Sequence, residues 1–143
     1  MSGWTDQAEA RTPLSQLSGS YSGSGSVRLA SGKRERIRCR AYYRPLSGGS
    51  RLNLAIRCAS PAFKIELRSQ LRYANGLVSG SWSERTFNAG GSVSGRARKG
   101  RLNVNIRGGI SGRMNLAFSG RSQRISISTS STNLRGVSIS LSR

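Results

Sequence analysis

Apolar and polar residues alternate with a period of two along most of the chain, the pattern of half-buried β-strands. Tyr21, Gly23, Gly25, Val27 and Leu29 take turns with Ser22, Ser24, Ser26 and Arg28 before Ser31-Gly32-Lys33 turns the chain. Two further runs, from Arg36 to Tyr43 and from Leu52 to Cys58, flank a turn-rich stretch between Arg44 and Arg51. Folding about Gly48-Gly49 sets Cys39 opposite Cys58, Ala41 opposite Ile56 and Tyr43 opposite Leu54, so apolar residues meet and the two thiols face each other. The next run carries Phe63, Ile65, Leu67, Leu71 and Tyr73, and Asn75-Gly76 behind it is a strong hairpin signal. That hairpin places Tyr73 against Val78, Leu71 against Gly80, Ser69 against Trp82 and Leu67 against Glu84. A turn at Lys99-Gly100 pairs Ala97 with Leu102, Gly95 with Val104 and Val93 with Ile106. A loop at Arg107-Gly108-Gly109 keeps Ile106 in phase with Ile110, and a turn at Arg121-Ser122 brings Phe118 to Ile125 and Leu116 to Ile127. Val137, Ile139 and Leu141 close the series.

These runs predict an all-β domain of about ten strands joined by tight hairpins, without any sustained helical period. An up-and-down antiparallel barrel buries the apolar face and hides the sheet edges together, and a two-sheet β-sandwich is the alternative. The predicted barrel domain covers residues 18–143. Residues 1–17 read as a flexible N-terminal extension, with Trp4 either capping one barrel mouth or lying in a loose tail.

The predicted interior decides between a carrier and a packed scaffold. Ten strands enclose enough width for an apolar or amphiphilic small molecule if the small inner residues Gly23, Gly25, Gly80, Gly95 and Gly112 leave space. Tyr43, Tyr73, Trp82, Glu84 and Phe118 are then the candidate cavity residues. The competing reading takes the same glycines as points of tight bending in a solid barrel, a structural or interaction protein with no small ligand. Glu84 is the polar residue with an unexpected direction, since its register sends it inward beside Trp82 unless a bulge turns it out.

Charge adds a second candidate surface. The chain has 24 Lys+Arg against 5 Asp+Glu, no histidine and a formal charge of +19. Lys33, Lys64 and Lys99 are the only lysines, and arginine grips phosphate or carboxylate with a planar fork. Arg36, Arg38, Arg40, Arg57, Arg68 and Arg72 fall on the outer face of three successive strands, with Arg40 directly opposite Arg57. Like charges so placed cost stability, and an anionic partner removes that cost. Anionic lipid, lipopolysaccharide and acidic polysaccharide fit. Nucleic acid ranks lower because Tyr42 is the only outer aromatic available for base stacking. An arginine-rich proteome yields such surfaces without any partner, and that reading stands beside the functional one.

Catalytic apparatus is not in view. Without histidine the commonest general base and metal ligand is missing, and no nucleophile elbow, Walker loop or carboxylate pair occurs. The Gly/Ser string from Gly19 to Gly25 mimics a phosphate loop, but no helix pattern follows it. The expectation is a non-enzyme with no cofactor and no metal. Cys39 and Cys58 are read as a cross-strand disulfide, against two buried free thiols. A bridge implies an oxidising compartment. No apolar run of about 18 residues is present for a transmembrane helix. The start, Met1-Ser2-Gly3-Trp4-Thr5-Asp6-Gln7, lacks an apolar signal segment, so the expected location is periplasmic or secreted with the signal peptide removed, or else the cytosol.

Four segments carry a resemblance: Leu17-Ser18-Gly19-Ser20-Tyr21-Ser22-Gly23-Ser24-Gly25, Glu35-Arg36-Ile37-Arg38-Cys39-Arg40-Ala41-Tyr42-Tyr43, Ile56-Arg57-Cys58-Ala59-Ser60 and Gly80-Ser81-Trp82-Ser83-Glu84. From Leu17 onward the chain resembles a group of small uncharacterised bacterial envelope proteins. That resemblance implies a periplasmic location and lends no activity. The expected shape is also similar to calycin-type ligand carriers, although Trp82 lies mid-chain where their Gly-x-Trp signature sits near the first strand.

Overall fold

A computed structural model describes residues 12–62, 64–130 and 133–143. Among them run β1 (Gly19–Leu29), β2 (Arg34–Leu46), β3 (Arg51–Ala59), β4 (Lys64–Ala74), β5 (Leu77–Glu84), β6 (Ala89–Arg98), β7 (Arg101–Gly108), β8 (Gly112–Ser119), β9 (Ser122–Thr129) and β10 (Leu134–Ser142). Each strand pairs antiparallel with its neighbours in sequence, and β1 pairs with β10, so the sheet closes into an up-and-down barrel. The expected architecture holds, and the sandwich is excluded.

The hairpin registers follow from turn chemistry. Leu46 pairs with Arg51 and Cys39 with Cys58, with the turn built on a short 3-10 segment, Ser47–Gly49. Asn75 and Gly76 both adopt positive φ, 51° and 83°, as a two-residue type I′ turn needs. This fixes Tyr73 against Val78, Ser69 against Trp82 and Leu67 against Glu84, as read from the sequence. Arg98 likewise pairs with Arg101 across Lys99-Gly100.

Two expected registers are corrected. The β8–β9 turn is Gly120-Arg121, so Phe118 pairs with Gln123, Leu116 with Ile125 and Met114 with Ile127. Gly120 supplies the positive φ that the turn requires, 54°, which Arg121 and Ser122 would adopt only under strain. The β7–β8 loop is residues 109–111, because β7 runs on to Gly108, which pairs with Gly91. Ile106 therefore faces Gly112 and not Ile110, which packs half-buried at the edge of the core.

Inward residues fill one apolar core that includes Val27, Ile37, Leu54, Leu102, Leu116 and Ile125. Residues 12–17, read from the sequence as part of the extension, are structured. Pro13–Gln16 forms a 3-10 turn capped by the Thr12 hydroxyl, which accepts from the Leu14 amide at 3.1 Å and donates to the Gly49 carbonyl at 2.6 Å. Leu14 and Leu17 are 0% exposed and close the barrel mouth that holds the β2–β3, β4–β5, β6–β7 and β8–β9 turns. The capping role considered for Trp4, and the inner position of Phe63, lie outside the described residues.

Candidate functional site: barrel interior and outer arginine wall

The five cavity candidates do not converge. Tyr43, Tyr73 and Phe118 sit toward the plugged mouth, whereas Trp82 and Glu84 lie near the opposite end, where β5 finishes. All are buried except Tyr73, which is half-buried. The polar atoms of Tyr43, Trp82 and Glu84 are held within the protein. The Tyr43 hydroxyl donates to Gln123 Oε1 at 2.8 Å, and the Tyr43 ring meets Tyr21 edge-on at 5.7 Å between centroids. Burial pushes the Tyr43 phenol well above the ordinary tyrosine range, and nearby Tyr21 adds to this while the Gln123 bond works against it. Trp82 Nε1 donates to the Arg107 carbonyl at 3.0 Å. In the register Trp82 faces Gly91 on β6, so the indole crosses a strand without a side chain to reach β7.

Glu84 points inward as its register requires, and the bulge that would turn it out is not formed. Its two carboxylate oxygens accept from the backbone amides of Glu66 and Phe87, each at 2.6 Å. The buried carboxylate thus clamps the start of β4 to the β5–β6 turn, a structural task that satisfies it without a ligand.

The inner glycines sit against neighbouring main chain. A Cβ at Gly23, Gly25, Gly80, Gly95 or Gly112 would run into a main-chain carbonyl of the adjacent strand, those of Ser140, Ser138, Gln70, Asn103 and Ser128 in turn. At these positions the absence of a side chain lets the adjacent strand approach closely.

The expected disulfide between Cys39 and Cys58 is formed, with Cα atoms 4.1 Å apart and a sequence separation of 19. It ties β2 to β3 beneath the arginine wall. On the outside Arg36, Arg38, Arg40, Arg57, Arg68 and Arg72 are all exposed on β2, β3 and β4, and Arg40 stands opposite Arg57. Glu66, opposite Arg57, answers it at 3.2 Å, the one ion pair among the described residues. Both side chains are solvated, so that contact contributes at most about 1 kcal/mol. Tyr42 is 37% exposed amid Arg40, Arg44 and Ala55, between two shallow clefts of about 730 and 530 Å³ that open on the wall.

Sequence reasoning missed Gln123, because the shifted β8–β9 register hid it behind Ile125. Its Nε2 is buried without a hydrogen-bond partner among the described residues. It also missed Thr12, Leu14 and Leu17, whose short segment carries no strand period. Among the described residues no group of three potential metal-ligating side chains comes together, and no helix is long and apolar enough to cross a membrane. Set beside known proteins, the sequence matches no family model and no curated protein.

Proposed function

We propose that this chain is a non-enzymatic barrel of the bacterial envelope that docks on phosphate-bearing lipid surfaces through the outer arginines of β2, β3 and β4. The observation that carries the reading is the juxtaposition of Arg36, Arg38, Arg40, Arg57, Arg68 and Arg72 on three adjacent strands, answered among the described residues by Glu66 alone. A basic side chain near an anionic lipid surface contributes about 1 kcal/mol. Six of them reach about 6 kcal/mol before losses, a dissociation constant of roughly 10⁻⁴ to 10⁻⁵ M. Tyr42 in their midst favours a lipid surface over a nucleic acid, since an amphipathic ring suits the headgroup boundary and base stacking calls for several. The sequence reading of Tyr42 as the only outer aromatic is corrected by Phe87, which is 42% exposed but stands in the β5–β6 turn and not among these strands. The Cys39–Cys58 bridge supports an oxidising location such as the periplasm.

Co-sedimentation with vesicles tests the proposal. Mixed phosphatidylglycerol and phosphatidylcholine vesicles should retain the protein at low salt and release it in 1 M salt, where the screening length falls to about 3 Å. Equal retention by pure phosphatidylcholine, or retention indifferent to salt, defeats it.

A further inference from the structure

The sequence drew attention to one basic wall, but the closed barrel has two. Arg96, Arg98, Arg101, Arg107 and Arg113 are all exposed on β6, β7 and β8. Their outward neighbours are amides, with Asn103 paired to Arg96 and to Asn115, and Asn105 paired to Arg113. Arg96, Arg98, Asn103, Asn105, Arg113 and Asn115 line a shallow cleft of about 560 Å³, and no carboxylate is among its lining residues.

The two sectors are segregated by serine. On one side Ser79, Ser81 and Ser83 of β5 pair with Ser94, Ser92 and Gly90 of β6, a neutral strip between the walls. On the other side the outward positions of β9, β10 and β1 include Ser126 paired to Ser138, Ser138 to Ser26, Ser140 to Ser24 and Ser142 to Ser22. Arg124 extends the second sector, Arg28 and Arg135 stand at the rim of the belt near the unplugged mouth, and Arg121 and Arg143 stand at the plugged rim, so the serine belt is neutral between its two rims. In the ring order the centres of the walls, β3 and β7, are four strands apart one way and six the other. They therefore face away from each other, and a single anionic plane cannot engage both.

We infer that the domain is a bivalent bridge, each guanidinium wall gripping the phosphates of a separate lipid surface so that one molecule holds two surfaces together. This rests on the lipid-docking reading and adds to it a second site and a cross-linking action. Guanidinium beside amide suits phosphate oxygens because both groups donate hydrogen bonds from planar N–H sets. Charge complementarity selects the occupant, and the opposed placement of the walls sets the number of occupants at two.

The test is dynamic light scattering of phosphatidylglycerol and phosphatidylcholine vesicles, with binding measured in parallel by co-sedimentation. Intact protein should cluster vesicles at sub-saturating ratios and disperse them again in excess, when every vesicle is already covered and the free wall of a bound molecule finds no bare surface to grip. Two triple variants separate the walls: Arg38→Ser with Arg40→Ser and Arg68→Ser, and Arg96→Ser with Arg98→Ser and Arg113→Ser. All six positions are exposed strand sites, and thermal melting confirms that each variant folds. Either variant should still sediment with vesicles while its clustering falls to the level of vesicles alone. Clustering at full strength by the second variant overturns the bridge and leaves the docking proposal standing. Loss of all binding by intact protein overturns the docking proposal itself. Clustering of a sulfated polysaccharide or of DNA but not of vesicles overturns the lipid assignment.

Discussion

Reducing the Cys39–Cys58 bridge should lower the melting temperature by about 10 °C. The cross-link closes a loop of 19 residues, and chain entropy for a loop of that length gives about 11 cal/mol/K, or about 3 kcal/mol at 25 °C, through restriction of the unfolded chain. For a domain of this size 1 kcal/mol moves the melting point by about 3 °C. Reduction keeps both sulfur atoms in the core and needs them only to part to van der Waals distance, so little buried volume is lost and the cross-link is the main thing removed. The native arrangement adds a reason for the bridge to matter, because it joins the two strands on which Arg40 and Arg57 stand face to face. Calorimetry of the oxidised protein, the protein reduced by a phosphine, and a Cys39→Ala/Cys58→Ala double variant measures the effect. The variant should melt near the reduced form and ignore the phosphine. A drop under about 3 °C on reduction would refute the reasoning, since it would mean that the unfolded ensemble is no more restricted with the bond than without it.

Three further outcomes follow from the interior. Because the raised Tyr43 pKa means that the folded state holds its proton longer than the unfolded chain, stability should be constant below about pH 10 and fall above it, by up to about 1.4 kcal/mol per pH unit. In denaturant titrations from about pH 7 to 11, Tyr43→Phe should lose about 1 kcal/mol at neutral pH with the Gln123 bond, and lose this share of the alkaline slope as well. Leu14→Ala should cost about 2–5 kcal/mol by urea unfolding if the 3-10 turn is part of the barrel, and nearly nothing if it is a loose tail. Gly91→Ala should cost about 1–3 kcal/mol and shift the Trp82 emission, because the added methyl would meet the Arg107 carbonyl to which the indole donates. An unchanged spectrum and an unchanged midpoint would show that the indole does not depend on that crossing.

The sequence made the strands readable where turn chemistry and side-chain alternation agreed. Asn75-Gly76 and the facing cysteines fixed β4–β5 and β2–β3 residue by residue, since a slip of one would expose a whole apolar row. At Gly120 two neighbouring turns preserve the same alternation, and the slip of two residues passed unnoticed because inward positions stay inward. That slip concealed Gln123. Closure was inferred from the need to hide edges, while the contact that plugs one mouth was out of reach: Thr12 meets Gly49 across 37 residues, a pairing that no local period encodes. The outer wall on β2 to β4 could be read directly, as could its arginines. Its counterpart on β6 to β8 emerged only once the ring order set the two sectors apart.

The seam between β1 and β10 has a consequence for how the chain reaches this state. Nine of the ten strand pairings join neighbours in sequence, so they can form early at small loop-closure cost. The tenth waits until Leu134–Ser142 is free to meet β1, and until then the growing ribbon has two open flanks able to recruit other chains. Aggregation risk is therefore concentrated in the interval before β10 reaches β1, and it ends when the seam zips shut.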